Sequence, residues 1–179
     1  FYIYLQLFIC CSFSWYGSSM GQNPQIVQDP ISKGELDSPV AITNERDGSN
    51  RLFITEQRGE IRVLENGSLL PTPFLDIESR LVPERENFDE RGLLGLAFHP
   101  NFGDASATNN DKFYVYYSAP QPSGYPTDPV NPVNHQCIVA EYSVTTLGSN
   151  VADPNSERIL MTFDLPQFNH NAGYIGFGR

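Results

Sequence analysis

Apolar and polar residues alternate in short runs from Ser38 onward, and turn-forming residues separate these runs. The first three runs read SPVAITNE, RLFITEQ and EIRVLENG, and the junctions between them contain Asp47-Gly48 and Arg58-Gly59. Alternation with a period of two, interrupted by glycine-containing turns, is typical of antiparallel strands joined by tight turns. This part of the chain is therefore predicted to form a meander of three short strands.

Four further apolar runs follow a charged loop. They read GLLGLAFHP, DKFYVYYSAP, CIVAEYSV and RILMTFDLP. The first of them is almost wholly apolar, which predicts a strand buried on both faces. Beyond the N-terminal part of the chain, no apolar period of about 3.6 residues persists over the length of a helix, so helix content is predicted to be low.

A faint internal repeat favours a β-propeller. A strand, a turn rich in Asp, Asn and Gly, and a basic-aromatic-aliphatic run occur in AITNERDGSNRLFI and again in LAFHPNFGDASATNNDKFYV, and GYIGFGR resembles the start of a third copy. Successive four-stranded meanders are the units of a propeller. A β-sandwich also uses many short strands and remains the alternative. The predicted fold is all-β, with about two propeller blades of four antiparallel strands and the first strand of a third.

Composition and charge narrow the class of partner. The 179-residue chain contains 14 Gly and 14 Pro, and its formal net charge is −10. Gly and Pro interrupt helices and favour turns. The negative charge argues against nucleic acid or an anionic membrane surface as a partner, because both would repel it.

The N-terminus differs from the rest of the chain. It begins FYIYLQLFICCSFSW, an uncharged apolar run that is followed by small residues. A run of this length suits the apolar region of a secretory signal peptide better than a membrane span. Residues 1–21 are therefore predicted to be a signal peptide that lacks its front part, and residues 22–179 the N-terminal part of the propeller. A membrane anchor or a buried strand is the alternative for the leader.

Two further features, a glycosylation acceptor and a single cysteine, are interpreted in the light of the predicted secretion. Asn66-Gly67-Ser68 is an acceptor for N-glycosylation in a secreted protein, although Asn-Gly is also a natural hairpin turn without a glycan. Cys137 is the single cysteine after the leader, so it can build neither a disulfide framework nor a zinc site by itself. Cys137 is predicted to be a small buried residue in a strand, with a disulfide partner elsewhere in the protein as the alternative.

One loop rich in side-chain oxygens is a candidate calcium site. The run GDASATNND carries several side-chain oxygens. It lacks the alternating acidic spacing and the closing glutamate of an EF-hand loop. A plain turn is the prediction.

Three residues carry the candidate chemistry. Glu90 and Arg91 directly precede a glycine-flanked apolar strand, where a propeller would turn them towards its central cavity and a polar ligand. A solvated ion pair at a strand end is the alternative. His170 lies between two asparagines and shortly before Gly173, which permits close approach of backbone or ligand. An imidazole can accept a proton at neutral pH, so His170 is a candidate general base, although a lone histidine is more often structural.

Of the other histidines, His99 is predicted to cap a turn and His135 to lie in a proline-rich loop.

Seven segments, in order, resemble one known family. They are RLFITEQRGEIRV, PFLDI, ERGLLGLAFHPNF, FYVYYS, VAEYSV, SERIL and NHNAGYIGFG. Together they resemble the glucose/sorbosone dehydrogenase family, which comprises pyrroloquinoline-quinone-dependent soluble sugar dehydrogenases and the Hedgehog-interacting-protein-like secreted proteins of animals. The resemblance covers about residues 36–178 and is more similar to the animal branch.

The resemblance implies a function and its residues. It implies a six-bladed propeller that oxidises the anomeric carbon of a sugar, with His170 as general base and pyrroloquinoline quinone as hydride acceptor. Glu90 falls at the family's quinone-contacting position, where bacterial glucose dehydrogenases carry glutamine, and Ala172 replaces a more common glycine. Calcium and most ligands of the quinone are expected outside this chain. The 179 residues alone are expected to be inactive and poorly soluble. The alternative is a non-catalytic propeller that binds an extracellular protein ligand.

Overall fold

Two antiparallel sheets account for nearly all regular structure in the computed structural model, which describes residues 35–125, 130 and 133–178. The first sheet contains β1 (Pro39–Thr43), β2 (Leu52–Glu56), β3 (Glu60–Glu65), β4 (Ser68–Leu69) and β5 (Leu75–Asp76). The second contains β6 (Leu93–Phe98), β7 (Lys112–Ala119), β8 (His135–Ser143) and β9 (Asp153–Leu165). A single 3-10 turn at Glu78–Arg80 is the only helical element among the described residues. The predicted signal peptide, residues 1–21, lies outside the described residues.

Strand order in both sheets follows the sequence. The first sheet runs β1-β2-β3-β4, with β5 also pairing to β3, and the second runs β6-β7-β8-β9. This up-and-down order is that of propeller blades, whereas a sandwich of Greek-key type would interleave distant strands. The prediction of an all-β fold built from four-stranded antiparallel blades is confirmed.

Local turn chemistry fixes the meander. Asn66 and Gly67 have φ angles of 51° and 78°, which place both central residues of the β3–β4 turn in the left-handed region. A type I′ hairpin turn needs this geometry, and Asn-Gly adopts it most readily. Gly59 closes the β2–β3 turn by donating its N–H to the Glu56 carbonyl at 3.0 Å. The turns predicted from sequence are the observed ones.

The core lies between the two sheets. Phe53 on β2 packs edge-on against Phe74 and Phe98, with ring centroids 4.9 and 4.7 Å apart. Phe113 on β7 continues this aromatic cluster, its ring 4.9 Å from Phe74. All four rings are buried. Because residues of both sheets form one cluster, aromatic packing holds the two blades together.

Two polar clusters tie the blades together away from the core. Arg51, 2% exposed, pairs with Glu45 at 2.8 Å and donates to the carbonyls of Gly148 and Ser149 in the β8–β9 turn. A second group, here called the Glu157 cluster, joins the 3-10 turn to the second sheet. In it one oxygen of Glu157 accepts hydrogen bonds from two tyrosine hydroxyls, and the other lies 2.9 Å from an arginine; the members are Glu157, Tyr117, Tyr142 and Arg80.

The segment predicted to open a third blade, GYIGFGR from Gly173, lies alongside β6, because Gly95 allows the backbone of Gly173 to approach it closely. It forms no β-ladder within the described part of the chain. One sequence prediction, on His135, is wrong. His135 is not in the proline-rich loop but is the first residue of β8, where pairing with Leu165 of β9 buries it.

The outermost strand leaves apolar side chains exposed. Ile159, Met161 and Phe163 of β9 are 52%, 54% and 42% exposed, and they are called here the β9 apolar face. Among the described residues, no helical segment has the length and hydropathy that crossing a bilayer requires.

Candidate functional site

A cavity of about 480 Å³ lies where the two blades meet. Its wall is formed by the edge of β1, the residue after β2, the approach to β6 and the segment after His170. The lining residues are Val40, Ala41, Gln57, Asp89, Glu90, Leu94, Asn171, Ala172, Gly173 and Tyr174. The site therefore draws on four pieces of chain that are far apart in sequence.

Close backbone packing holds the last of these pieces against β6. A methyl group added at Gly95 would lie 2.0 Å from the carbonyl oxygen of Gly173, so that only hydrogen fits at this position. The β6–β7 register also shifts between Leu93 and Gly95, an irregularity that leaves room for the crossing segment. Residues 171–174 are consequently part of the cavity wall.

This segment has a strained backbone. His170, Ala172 and Gly173 have φ angles of 63°, 58° and 136°. The left-handed region is unfavourable for residues with a side chain, and such strain concentrates at functional sites. The turn needs support from its surroundings to persist.

The structure brings Glu90 and His170 together. The backbone N–H of His170 donates to Oε2 of Glu90 at 2.5 Å, across 80 residues of sequence. Glu90 lines the cavity, while His170 is exposed beside it. The sequence prediction that these two residues meet at one site agrees with this geometry; their chemical roles stay predictions.

Arg91 lies behind the wall and not in it. Its side chain is 7% exposed and forms an ion pair with Asp89 at 2.6 Å. It also donates to Oδ1 of Asn134 at 3.2 Å and to the carbonyl of Pro83 at 3.0 Å. The guanidinium is therefore held by Asp89, Asn134 and Pro83, and Arg91 is not among the residues that line the cavity.

Asp89 is an ionised anchor for this loop. Burial by itself would raise the pKa of Asp89, but hydrogen bonds from the side chain and N–H of Arg91 and from the N–H of Arg85 hold that pKa below its ordinary value. The carboxylate thus stays charged at neutral pH and is compensated by Arg91. Its structural task is to fix the loop that carries Glu90.

Sequence reasoning missed Gln57. Its side-chain Nε2 donates to the backbone carbonyls of Asp89 and Arg91, both at 2.8 Å. Its backbone carbonyl accepts from the N–H of Leu93 at 2.8 Å. Gln57 thereby docks the end of β2 onto the start of β6. Its position just after a strand was the only sequence signal, and many polar residues share that position.

A buried polar group lies beneath the same wall. His135 is 0% and Asn171 2% exposed. The Nδ1 atom of His135 lies 3.2 Å from Oδ1 of Asn134, and its Nε2 atom lies 3.6 Å from Sγ of Cys137. Burial chiefly lowers the pKa of His135, and the charge of Arg91 lowers it further, against smaller opposing effects of Asn171 and Asp89. This histidine is therefore neutral at neutral pH.

The remaining sequence predictions fall as follows. Cys137 is a free, fully buried thiol in a strand, as predicted. His99 caps a turn, because its Nδ1 accepts the N–H of Asn101 at 3.1 Å. The GDASATNND run forms turns stabilised by Asp104 and Ser106, and no cluster of three or more acidic, histidine or cysteine side chains suitable for a metal occurs in the described parts of the chain. Asn66 is exposed at its turn, with its glycosylation still a prediction.

The fold and this wall define the class: two adjacent blades of a β-propeller of the sugar-dehydrogenase type. In structure, the chain is similar to an oxidoreductase (glucose dehydrogenase) from Thermus thermophilus, with a TM-score of 0.53 and 26% identity over 81% of this chain and 35% of that one. No family model matches the chain.

The relatives make the placement more specific. Mouse Hedgehog-interacting protein is 34% identical over 144 residues, which is 80% of this chain and 19% of the mouse protein. The HIPL1 protein of Arabidopsis thaliana is 28% identical over 167 residues, covering 74% of this chain and 23% of that protein. The chain spans about a fifth of the length of the Hedgehog-interacting proteins that it matches. It is a homologue of the Hedgehog-interacting and HIPL proteins, and the predicted resemblance to the glucose/sorbosone dehydrogenase family is confirmed.

Proposed function

We propose that this wall is the sugar-facing side of the site in a secreted, sugar dehydrogenase-like propeller, with His170 as the general base. The observation that carries the proposal is the strained turn that holds His170 next to the cavity-lining residue Asn171, while the N–H of His170 donates to Glu90. An imidazole so placed would accept the proton of an anomeric hydroxyl. Glu90 would accept hydrogen bonds from neighbouring hydroxyls of the same sugar.

Secretion and glycosylation belong to the same proposal. The apolar leader suits a signal peptide, and an exposed Asn66 at a tight turn leaves space for a glycan. Digestion of the protein from a secreting host with an endoglycosidase would shift its mass if Asn66 is glycosylated. An unchanged mass, or a shift that persists in the variant Asn66→Gln, would contradict the assignment.

The described wall does not fit the quinone that the family implies. Pyrroloquinoline quinone carries three carboxylates and needs cationic partners, whereas the charged lining residues described here are the two carboxylates of Asp89 and Glu90. Arg91, the nearest candidate cation, is committed to Asp89. Carboxylates and amides suit sugar hydroxyls instead, so this wall is proposed to contact the sugar. Calcium and the quinone would depend on residues outside this chain.

The test of the base uses the full-length protein. Sugar-dependent dye reduction is measured with quinone and calcium added, for wild type, His170→Gln and the matched control His99→Gln. Loss of a general base is expected to lower the rate about 100-fold or more, while the control keeps it. If the wild type reduces the dye and His170→Gln does so equally well, the assignment of the base is wrong.

A second function is favoured by the relatives. The mouse and human Hedgehog-interacting proteins are named for interaction with Hedgehog, and the wall carries the carboxylate of Glu90. A propeller without catalysis would use this wall to bind a basic surface of an extracellular protein ligand. Such binding would weaken as salt is raised, since exposed charges are screened.

Glu90→Gln separates the two functions on one preparation. The amide keeps an acceptor for the N–H of His170 and removes the charge. Dehydrogenase activity should survive, because the bacterial enzymes that the chain resembles carry glutamine there, whereas affinity for a Hedgehog ligand should fall several-fold at low salt. Activity lost in the variant would contradict the sugar-facing role, and unchanged affinity would contradict the binding role.

A further inference from the structure

One exposed aromatic ring lines the cavity. Tyr174 is 95% exposed, and it is the only aromatic residue among the described residues of the lining. A side chain so exposed buries almost no apolar surface, so packing of the core does not explain its position. A ligand in the cavity is what the ring is free to contact.

The backbone around Tyr174 is held against the second sheet. Gly173 is buried and Ile175 is half-buried. A methyl group added at Gly95 would lie 2.0 Å from the carbonyl oxygen of Gly173 and 3.3 Å from the side chain of Ile175, so both residues face β6. The residue between them is directed to the other side, because successive side chains of an extended segment alternate. This alternation turns the Tyr174 ring away from β6 and towards the cavity.

A second anchor follows Tyr174. The ring of Phe177 packs edge-on against the rings of His99 and Tyr114, with a centroid distance of 5.3 Å to each. The backbone is therefore fixed both before and after Tyr174. A tyrosine on a fixed backbone has only two side-chain torsions to order, so it loses little conformational entropy when it meets a ligand.

The cavity lining has an apolar and a polar side. The apolar side consists of Tyr174 with four aliphatic neighbours, Val40, Ala41, Leu94 and Ala172. The polar side includes the partly exposed side chains of Gln57 and Glu90. A pyranose ring has the same two-sided character, because its C–H faces are apolar and its hydroxyl groups are polar. A purely apolar ligand would instead leave the polar side without hydrogen-bond partners.

We propose that Tyr174 is the sugar-stacking residue of this cavity: its ring packs against the C–H face of a pyranose while Glu90 accepts hydrogen bonds from hydroxyls of the same sugar. This inference rests on the proposed sugar-facing role of the wall. It assigns recognition of the sugar ring to a residue that takes no part in proton transfer.

Binding of a sugar that cannot be oxidised at its anomeric carbon tests this role apart from catalysis. The probe is 1,5-anhydro-D-glucitol, a pyranose without an anomeric hydroxyl, and its Kd for the full-length protein is measured by saturation-transfer NMR. The variants are Tyr174→Ala and the conservative Tyr174→Phe. The matched control is Phe88→Ala, which removes a 60% exposed ring that contacts Phe168 and lies outside the cavity lining.

The expected result follows from the loss of one stacked ring. The Kd should rise about 10-fold in Tyr174→Ala and stay within about two-fold of wild type in Tyr174→Phe and in the control. Saturation in the wild type should be strongest at the C–H protons of the bound sugar ring, and it should fall at these protons in Tyr174→Ala.

The outcomes separate this role from the function on which it rests. If the wild type binds 1,5-anhydro-D-glucitol and Tyr174→Ala binds it equally well, the stacking role is wrong and the sugar-facing role of the wall stands. Equal weakening in Phe88→Ala also overturns the stacking role. If the wild type binds neither this probe nor D-glucose, the sugar-facing function is wrong and the stacking role with it. A loss of affinity for a Hedgehog ligand in Tyr174→Ala would then assign the ring to a protein interface.

Discussion

Replacing Gly95 with alanine would test whether direct backbone contact with β6 fixes the cavity wall. An added methyl carbon would lie 2.0 Å from the carbonyl oxygen of Gly173 and 3.3 Å from the side chain of Ile175. The first contact involves backbone on both sides, so no side-chain rotation relieves it. Either β6 or the segment after His170 has to move.

The size of the movement follows from ordinary contact distances. A carbon and a carbonyl oxygen approach to about 3.3 Å, so the two backbones must separate by roughly 1.3 Å. Over-packing of this kind costs about 1–3 kcal/mol of unfolding free energy. Because β6 is paired along its length with β7, the less supported segment should take up the shift. The contact between the N–H of His170 and Glu90 should then lengthen.

Denaturant unfolding and amide exchange of the full-length protein measure the two consequences. Gly95→Ala is expected to lower the unfolding free energy by that amount and to raise exchange of the 166–174 peptides more than exchange of β6. Gly178→Ala is the matched control, since a methyl group there meets no atom within 4 Å. Its stability and exchange should equal those of wild type.

The result that refutes this reasoning is specific. If Gly95→Ala unfolds at the wild-type denaturant concentration and protects the 166–174 segment normally, that segment is not packed on β6 as described. Equal loss of protection in β6 and in the segment would instead show that the strand, and not the cavity wall, yields to the methyl group. Either outcome would remove the basis for a wall built on Gly95.

Three further predictions concern stability and solubility. Glu157→Leu leaves two tyrosine hydroxyls and an arginine of the Glu157 cluster without their acceptor, and it should lower the free energy of unfolding in urea by about 2–4 kcal/mol. The control Arg158→Ala, at an exposed neighbour, should lower it by less than about 1 kcal/mol. Similar losses in the two variants would contradict a structural role of the cluster. The lowered pKa of His135 favours the neutral ring in the fold, so stability should fall as pH drops below about 6.5, and the lowered pKa of Asp89 adds a further loss below about pH 4. Urea midpoints across pH should lose the first step in His135→Gln and the second in Asp89→Asn, and unchanged steps would refute the assignment. Met161→Lys on the β9 apolar face should raise the soluble fraction of the 179-residue chain expressed alone, and no change in a sedimentation assay would show that another surface drives association.

Local patterns were sufficient for the strands because strands and tight turns are encoded by neighbouring residues. Alternation predicted β1, β2 and β3, and Asn66-Gly67 predicted the hairpin that follows them. The length of β9, 13 residues with two register shifts against β8, was not predictable. The pairing of β9 depends on contacts with β8, and the alternation of residues within β9 does not predict them.

The site is formed by contacts between residues far apart in sequence, so sequence analysis found only those site residues that also had a local signal. Glu90 and His170 were found because each precedes a glycine-flanked apolar run, a local signal. Gln57 gave no such signal, since its role arises only when the end of β2 reaches the loop that carries Glu90. Residues 173–178 have the alternation of a strand and lie alongside β6, a placement that depends on the contact between Gly173 and Gly95 and not on local sequence.

Catalysis by His170 needs a group that orients its imidazole ring, whereas binding of a protein ligand does not. Glu90 holds the backbone of His170, and no hydrogen bond from the described residues reaches the imidazole ring. A general base works when a third group orients its ring, so the catalytic function requires such a group from outside the described part of the chain. A binding wall needs only the fixed backbone and the charge of Glu90, both of which are present here. A substitution of the backbone support, at Gly95, should therefore impair both functions, whereas loss of a ring-orienting group should abolish oxidation and leave binding intact.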